Sequence, residues 1–344
     1  MNTQLAVALF VALVLDRAAG EPPLKLHPVV WTGTLISKLD GQGKGRAYGF
    51  FVFFVTLAFV WGLWLLPYFA LSQLKDVLAS ILIFALFVYL LKASFSWKLM
   101  RSYGLRIADA LQAGDVERAR KLASEIVRRD LTCADGSLIA SAAIESIAEG
   151  EVDGLTSPLF YCPLGILGPL TQRTVNTLDS MIGYPYPPFR EVGWLSAKAD
   201  TVINYVPARL TSLMIALAAF LLRLDWKGSL YTTLRDHRKT RSLNGGWPMS
   251  AMAGALGVKL TKSGEYELGD GRLPGPQQVL LAVRVYDVSV IVFVALVFVV
   301  LLLFPLTFPL IRPLKCTATI KKRKQEVNGK RLSNFELPIE EVTS

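Results

Sequence analysis

From Ala47 to Leu74 the chain carries no charged residue, and this run includes Phe50, Phe51, Phe53, Phe54, Trp61, Trp64 and Tyr68. A helix of about 20 apolar residues crosses the hydrocarbon core of a bilayer, and aromatic rings gather at its two interfaces. The run therefore predicts a membrane-spanning helix. Related signals recur along the chain. Leu5 to Leu15 is short and lacks the basic start of a secretory signal, which predicts an N-terminal membrane helix extending past Asp16. After the Lys75-Asp76 break, Val77 to Leu91 predicts a second helix and, with the first, a tight transmembrane hairpin. Leu155 to Gln172 is also uncharged, but Pro158, Pro163, Gly165, Gly168 and Pro169 interrupt it, so it reads as a broken or re-entrant segment. Leu210 to Leu222 and Val288 to Ile311 complete the set.

The expected fold is a mainly α-helical, multi-pass integral membrane protein with about four or five membrane segments, one or more re-entrant, and cytoplasmic helical insertions. N-terminal membrane helices fill 1–91, with a polar turn at 16–46. A helical polar region follows at 92–201, then a membrane segment at 202–222 and a polar basic loop region at 223–284. A membrane helix at 285–311 and a basic tail at 312–344 end the chain. Within the polar region, Leu105 to Arg129 reads as two amphipathic helices punctuated by Gly114-Asp115. Lys92, Lys98 and Arg101, and later Lys321 to Lys324, mark cytoplasmic faces. If Val288 to Ile311 crosses once, the region from Arg223 to Arg284 and the tail lie on opposite sides, and the positive-inside preference satisfies only one of them.

With 52% hydrophobic and 19% charged residues, the chain is neither disordered nor a disulfide scaffold. Cys133, Cys162 and Cys316 have no paired spacing, and His27 and His237 are the only histidines, so a metal site has to be built from carboxylates. The net charge of +10 admits nucleic acid, anionic lipid or phosphorylated substrates. Its concentration at membrane-flanking loops and in the tail favours a topology signal and an anionic substrate over nucleic acid.

Three polar constellations stand out. From Asp130 to Gln172 there is no Lys or Arg, and Glu145, Glu149 and Asp153 fall at i, i+4 and i+8, on one face of a helix. Like charges so spaced repel, and Mg²⁺, which takes oxygen ligands and bridges to phosphates, would relieve them; the plainer alternative is a solvated acidic face. The second set is Asn176, Asp179, Asp200, Asn204 and Arg209, in which Asp200 and Arg209 form either a structural ion pair or a substrate-facing pair at the mouth of a membrane helix. The third is Arg235-Asp236-His237-Arg238-Lys239, followed by Arg241, Asn244, Gly245 and Gly246. It suits phosphate at a helix start or, alternatively, lipid headgroups. His27, in a turn-rich segment with Asp16 and Glu21, is more often structural than catalytic.

Several blocks in order carry a resemblance: LVLDRAAGEPPLKLHPVVWTG, AIESIAEGEVDGLTSPLFY, NTLDSMIGYPYPPFREVGWLSAKADTVINYVPARL, RDHRKTRSLNGGWPMSAMAGALGV and GEYELG. The chain resembles the CobD/CbiB family, the adenosylcobinamide-phosphate synthases of cobalamin biosynthesis. The resemblance implies a multi-pass cell-membrane enzyme with a cytoplasmic active site. Such an enzyme joins aminopropanol, or its phosphate, to a propionate of adenosylcobyric acid as an amide, with ATP and Mg²⁺. A carboxylate is a poor acyl donor, and phosphorylation by ATP would make it an acyl phosphate open to the amine. On this reading Glu145, Glu149 and Asp153 hold Mg²⁺, while Asp179, Asp200 and Asn204 complete its shell or orient the amine. Arg235, Arg238 and Lys239 steady phosphates, and His27, Asn176, Arg209, His237 and Asn244 contact substrate. The lipid bilayer and other late corrinoid-pathway enzymes are the expected partners.

The family usually shows Glu-Asn where this chain has Glu149-Gly150, Asp-Asp where it has Asp200-Thr201, and Ser-Pro-Asn where it has Ser242-Leu243-Asn244. These departures imply altered metal binding, another amine, or a catalytically reduced homologue that scaffolds other corrinoid enzymes. The few confident spans, the large polar segments and the lack of inverted-repeat symmetry speak against a transporter.

Overall fold

The computed structural model describes residues 2–39, 41–74 and 76–303. Helices dominate it: α1 (Asn2–Ala19), α2 (Pro28–Leu39), α3 (Arg46–Ser72), α4 (Val77–Lys92), α5 (Lys98–Gln112), α6 (Val116–Ser124) and α7 (Gly136–Glu151). A π-helical turn, Val152–Thr156, runs on from α7 into the short α8 (Ser157–Phe160). There follow α9 (Leu167–Ile182), α10 (Trp194–Ile203), α11 (Tyr205–Leu221), α12 (Trp226–Asp236) and α13 (Gly246–Leu256). An antiparallel hairpin of β1 (Leu260–Lys262) and β2 (Tyr266–Leu268), with Leu260 opposite Leu268, precedes α14 (Pro276–Leu303).

Local chemistry sets several helix starts. Asp76, Asp115, Asp135 and Asp225 each accept a hydrogen bond from the backbone N–H three residues on, at 2.6, 3.0, 2.8 and 2.7 Å. Each such cap satisfies an otherwise orphaned donor and contributes about 1 kcal/mol. The Gly114-Asp115 turn between the two amphipathic helices forms as the sequence predicts, with Gly114 at φ +74°.

Among the described residues, two helices are long and apolar enough to cross a membrane, α3 and α14, and a third crossing exists if α10 and α11, bent by 44°, count as one span. This is fewer than the four or five segments expected. Helix α4 has only 16 residues, so the predicted hairpin of two crossings pairs one full-length apolar helix with a shorter one. The uncharged Leu155 to Gln172 stretch is broken as expected, by the π turn, α8 and a 3-10 turn at Cys162–Leu164. Most of it is buried within the protein, where it serves the core. Helix α14 begins at Pro276, well before Val288, while the end of the predicted span and the basic tail lie outside the described residues.

One large core joins the membrane helices to the polar region. Ile139, Ile144 and Ile147 of α7 pack with Ile107 of α5 and with Tyr286 and Phe293 of α14, all fully or nearly fully buried. Burial of each such aliphatic chain stabilises by about 1.5–3 kcal/mol. Helix α7 is central because its small residues, Ala140, Ala142, Ala143 and Ala148, let neighbours close on every side. A second cluster, with Ile36 of α2, Val52, Phe53 and Leu57 of α3, and Val175 and Leu178 of α9, seats α9 beside the long apolar helix. The outer face of α3 leaves Phe51, Phe54, Leu66 and Phe69 exposed, and that of α14 leaves Ile291, Val299 and Leu302 exposed, as lipid-facing surfaces require.

Two expectations change here. The region 223–284 is not a loop: it holds α12, α13 and the hairpin, and nine of the eleven residues of α13 are buried. Lys92, expected to mark a membrane face, is buried and bonds Asp16 and Glu21 at 3.1 and 3.2 Å, while Lys98 and Arg101 bond Ala18 O and Asp287. These cations bind helices together within the protein.

Candidate active site

A cavity of about 920 Å³ opens between α7 and the ends of α9 and α10. Helix α7 brings Glu145 and Glu149 to it, the π turn brings Asp153, and α9 and α10 bring Asp179 and Asp200. Asn204, at the bend between α10 and α11, and Asn244, before α13, complete the predicted residues that line it. The three carboxylates placed on one helical face do share the cavity, although the α-helix ends at Glu151 and Asp153 reaches it from the wider π turn, a distortion frequent at functional sites.

Their surroundings differ. Glu145 is buried and fully engaged: Arg129 Nη2 and Ser141 Oγ donate to its Oε1 at 3.1 and 2.8 Å, and Tyr266 OH donates to Oε2 at 2.8 Å. Glu149, Asp153, Asp179 and Asp200 have no ion-pair partner among the described residues. Glu149 is open to the cavity but walled in by protein, and this desolvation, with the charges of Asp153 and Glu145, pushes its carboxyl up to about 7 against the pull of Lys262 and Arg128. Burial, with the charge of Asp153, raises Asp179 to about 6. Burial raises Asp153 as well, opposed by an Asn176 hydrogen bond and by Arg173 and Arg128.

Two glycines shape the acidic wall. A Cβ on Gly245 would sit 2.3 Å from Glu149 Oε1, so a larger residue there would make this carboxylate swing away from the turn before α13. A Cβ on Gly150 would meet Met100 Cε at 2.4 Å, and Met100 lies over that bare backbone as part of the lining. Behind the acids runs a buried amide network. Asn204 Nδ2 donates to Asp200 Oδ1 at 2.9 Å, and Asn204 Oδ1 accepts from Ser157 Oγ at 2.5 Å and Gln172 Nε2 at 3.2 Å. Asn176 donates to the same Asp200 oxygen at 3.4 Å, which places it behind the lining.

Other predicted residues lie elsewhere. Arg209 does not pair with Asp200; it stacks on Tyr205 and Trp247, 3.6 and 4.7 Å from the ring centres, and donates to Asn244 Oδ1 at 2.8 Å. The basic cluster of α12 is mostly occupied. Arg235 binds Asp236 at 2.7 Å and also Asp270, and Lys239 binds Asp236 at 2.7 Å. His237 rests on Trp247 with ring centres 4.3 Å apart, and Arg238 is exposed. None of these four lines the cavity, and Asp236 and Asp270 hold Arg235 and Lys239 in structural pairs. His27 bonds Glu21 at 3.1 Å, away from the cavity, and the Glu21 carboxyl is held down at about 2 by His27 and Lys92 despite its burial.

The cavity's cations are instead Arg128, Arg129 and Lys262, with Tyr184, Tyr186 and Tyr266 among its rings, none singled out by sequence reasoning. One signal was available: Arg128-Arg129 directly precedes the stretch that lacks basic residues, and so supplies its nearest opposite charge. Among the described residues no group of three or more Asp, Glu, His or Cys side chains is arranged to hold a metal ion, and Glu145, with both oxygens engaged, makes a poor ligand. A cavity with free carboxylates near neutrality and cations in its lining can bind a dipolar ligand and exchange a proton with it.

A protein-family model described as "CobD/Cbib protein" matches residues 9–286. The probable cobalamin biosynthesis protein CobD of Methanothermobacter thermautotrophicus is 40% identical over 264 residues, 76% of this chain and 86% of that protein. The cobalamin biosynthesis protein CobD of Dehalococcoides mccartyi is 36% identical over 275 residues, 79% and 89% of the two chains. That of Klebsiella pneumoniae is 34% identical over 267 residues, 74% and 82%. No solved structure matches the chain. With a family model spanning most of its length and relatives covered almost end to end, the chain belongs to the CobD/CbiB family of cobalamin biosynthesis proteins.

Proposed function

We propose that this protein forms the amide between a propionate of adenosylcobyric acid and the nitrogen of aminopropanol or aminopropanol phosphate, giving adenosylcobinamide or its phosphate at a membrane. The observation that carries this reading is the cavity itself, where the unpaired carboxylates of Glu149, Asp153, Asp179 and Asp200 share the lining with Arg128, Arg129 and Lys262 in a member of this family. Amide synthesis asks for a site that attracts an ammonium, removes its proton and holds anionic groups alongside.

Acidic groups draw the ammonium in. Glu149, at about 7, and Asp179, at about 6, titrate close to neutral pH, where a carboxylate accepts a proton most effectively from a bound nucleophile. The amide network around Asn204 fixes Asp200, so the acidic side reorganises little as charge moves. Cationic groups hold the propionate or phosphates.

The donor chemistry suits Mg²⁺ in the mode where one or two carboxylates share the ion with substrate phosphates, and Asp153 would hold it while Glu149 stays free to take the proton. ATP would activate the propionate and Mg²⁺ would offset phosphate charge. Glu145, assigned to the metal on spacing alone, instead anchors Arg129 and Tyr266. The test is reconstitution: purified protein in detergent or nanodiscs receives adenosylcobyric acid, aminopropanol phosphate, ATP and Mg²⁺, and the corrinoid is followed by mass. Formation of the amide supports the proposal. Bound but unaltered corrinoid identifies a scaffold for other corrinoid enzymes.

A further inference from the structure

We infer that Arg128, together with Lys262, forms a subsite for a phosphate monoester inside the cavity and makes the protein select phosphorylated over unphosphorylated ligands. This deepens the proposed amide synthesis and rests on that reading for the identity of the amine. The cavity's three cations are used differently. Arg129 donates to Glu145 Oε1 at 3.1 Å and to Thr261 O at 2.9 Å, so it serves the wall. Lys262 Nζ bonds Glu265 at 2.9 Å with donors to spare. Arg128, on the loop between α6 and α7, lines the cavity, is exposed to it, and has no hydrogen-bond or ion-pair partner among the described residues.

Arg128 is nonetheless close to the chemistry. Its charge acts on Glu149, Asp153 and Asp179, the same carboxylates that give the cavity its negative side. A guanidinium so placed, bonding none of them, offers five N–H donors in a planar fork, the geometry that matches phosphate oxygens. A phosphate monoester carries about two negative charges at neutral pH; Arg128 meets it with an unpaired charge, and Lys262 adds the N–H donors that Glu265 leaves free. A ligand with an ammonium at one end and a phosphate at the other fits both signs at once, and the cation fixes which end faces the acids.

The same phosphate chemistry belongs to a phosphorylated amino alcohol and to the end of a nucleotide triphosphate, and titration separates them. Wild type, Arg128→Ala and Arg128→Gln are titrated calorimetrically with aminopropanol phosphate, aminopropanol and ATP. We expect both variants to lose at least about tenfold in affinity for a phosphorylated ligand, the scale of a charge-assisted hydrogen bond, and much less for aminopropanol. Loss on aminopropanol phosphate assigns the subsite to the amine, and loss on ATP assigns it to the nucleotide. Equal loss on all three ligands, or none on either phosphorylated one, overturns the inference. Because binding is read directly, failure of amide synthesis would count against the proposed reaction while leaving this result to stand or fall alone.

Discussion

Glu151 offers a test of the interior independent of any substrate. It ends α7 with no exposure to solvent, Ser289 of α14 bonds its Oε1, and its Oε2 meets no partner. Burial pushes its carboxyl up from 4.5 to about 8, with the Ser289 bond only partly opposing this. The sign follows from proton counts. Between pH 4.5 and 8 the unfolded chain has lost this proton and the folded chain keeps it, so stability falls as pH rises, and above 8 both states are ionised and the loss is complete. The slope is about 1.36 kcal/mol per pH unit, so the group removes roughly 2.7 kcal/mol between pH 6 and pH 8. Glu151→Gln keeps the acceptor for Ser289 and removes the titration. Thermal unfolding in detergent should show the variant's margin over wild type widening by about 2–3 kcal/mol between pH 6 and pH 9. Parallel stability curves for the two proteins from pH 6 to pH 9 would refute the claim that Glu151 is folded in its neutral form.

Further consequences concern the cavity and its supports. If Glu149 takes the amine's proton, kcat/KM should rise about tenfold from pH 6 to pH 8 with an inflection near 7; Glu149→Gln should lose that inflection and about 10²–10⁴-fold in rate, and a variant as active as wild type would remove Glu149 from the mechanism. Asn204→Ala strips hydrogen bonds from buried Ser157 and Gln172 and from Asp200, and thermal unfolding should show a loss of about 3 kcal/mol; a loss under about 1 kcal/mol would mean the network is not a support. Arg235→Ala leaves the fully buried Asp236 without its twin N–H contacts and should cost about 2 kcal/mol or more, whereas Arg238→Ala, on an exposed residue off the cavity, should change neither stability nor KM for aminopropanol phosphate. A raised KM in Arg238→Ala would return the α12 cluster to the substrate.

What the sequence revealed follows the range of the forces involved. A span is a local demand on composition, so the uncharged runs within α3 and α14 were legible as membrane-length helices, although α14 starts at Pro276, twelve residues before Val288. The acidic face of α7 was legible too, because i, i+4 spacing is a property of one helix. Pairing across the fold was not. Arg129 meets Glu145 only when the loop before α7 turns back, and Tyr266 reaches Glu145 from the far-off hairpin, so neither contact has a spacing to read. The Arg235 cluster looked free because its partner Asp270 arrives from beyond the hairpin. Arg209 and Asp200 lie on helices bent by 44°, and the bend, with the rings of Tyr205 and Trp247, carries the arginine to Asn244. Lys92 is buried because Asp16 and Glu21, from the chain's first segments, fold over it, another pairing with no spacing to read.

The central claim is that the acidic cavity is where the amide forms, and Asp153 is its most direct probe because Glu149, Asp179 and Asp200 all feel its charge. Amide production from adenosylcobyric acid and aminopropanol phosphate, with ATP and Mg²⁺, should be measured for wild type and Asp153→Asn alongside corrinoid binding. Wild type should make the amide, while Asp153→Asn should bind the corrinoid and turn it over at least about 100-fold more slowly. Turnover by Asp153→Asn at the wild-type rate would contradict that claim.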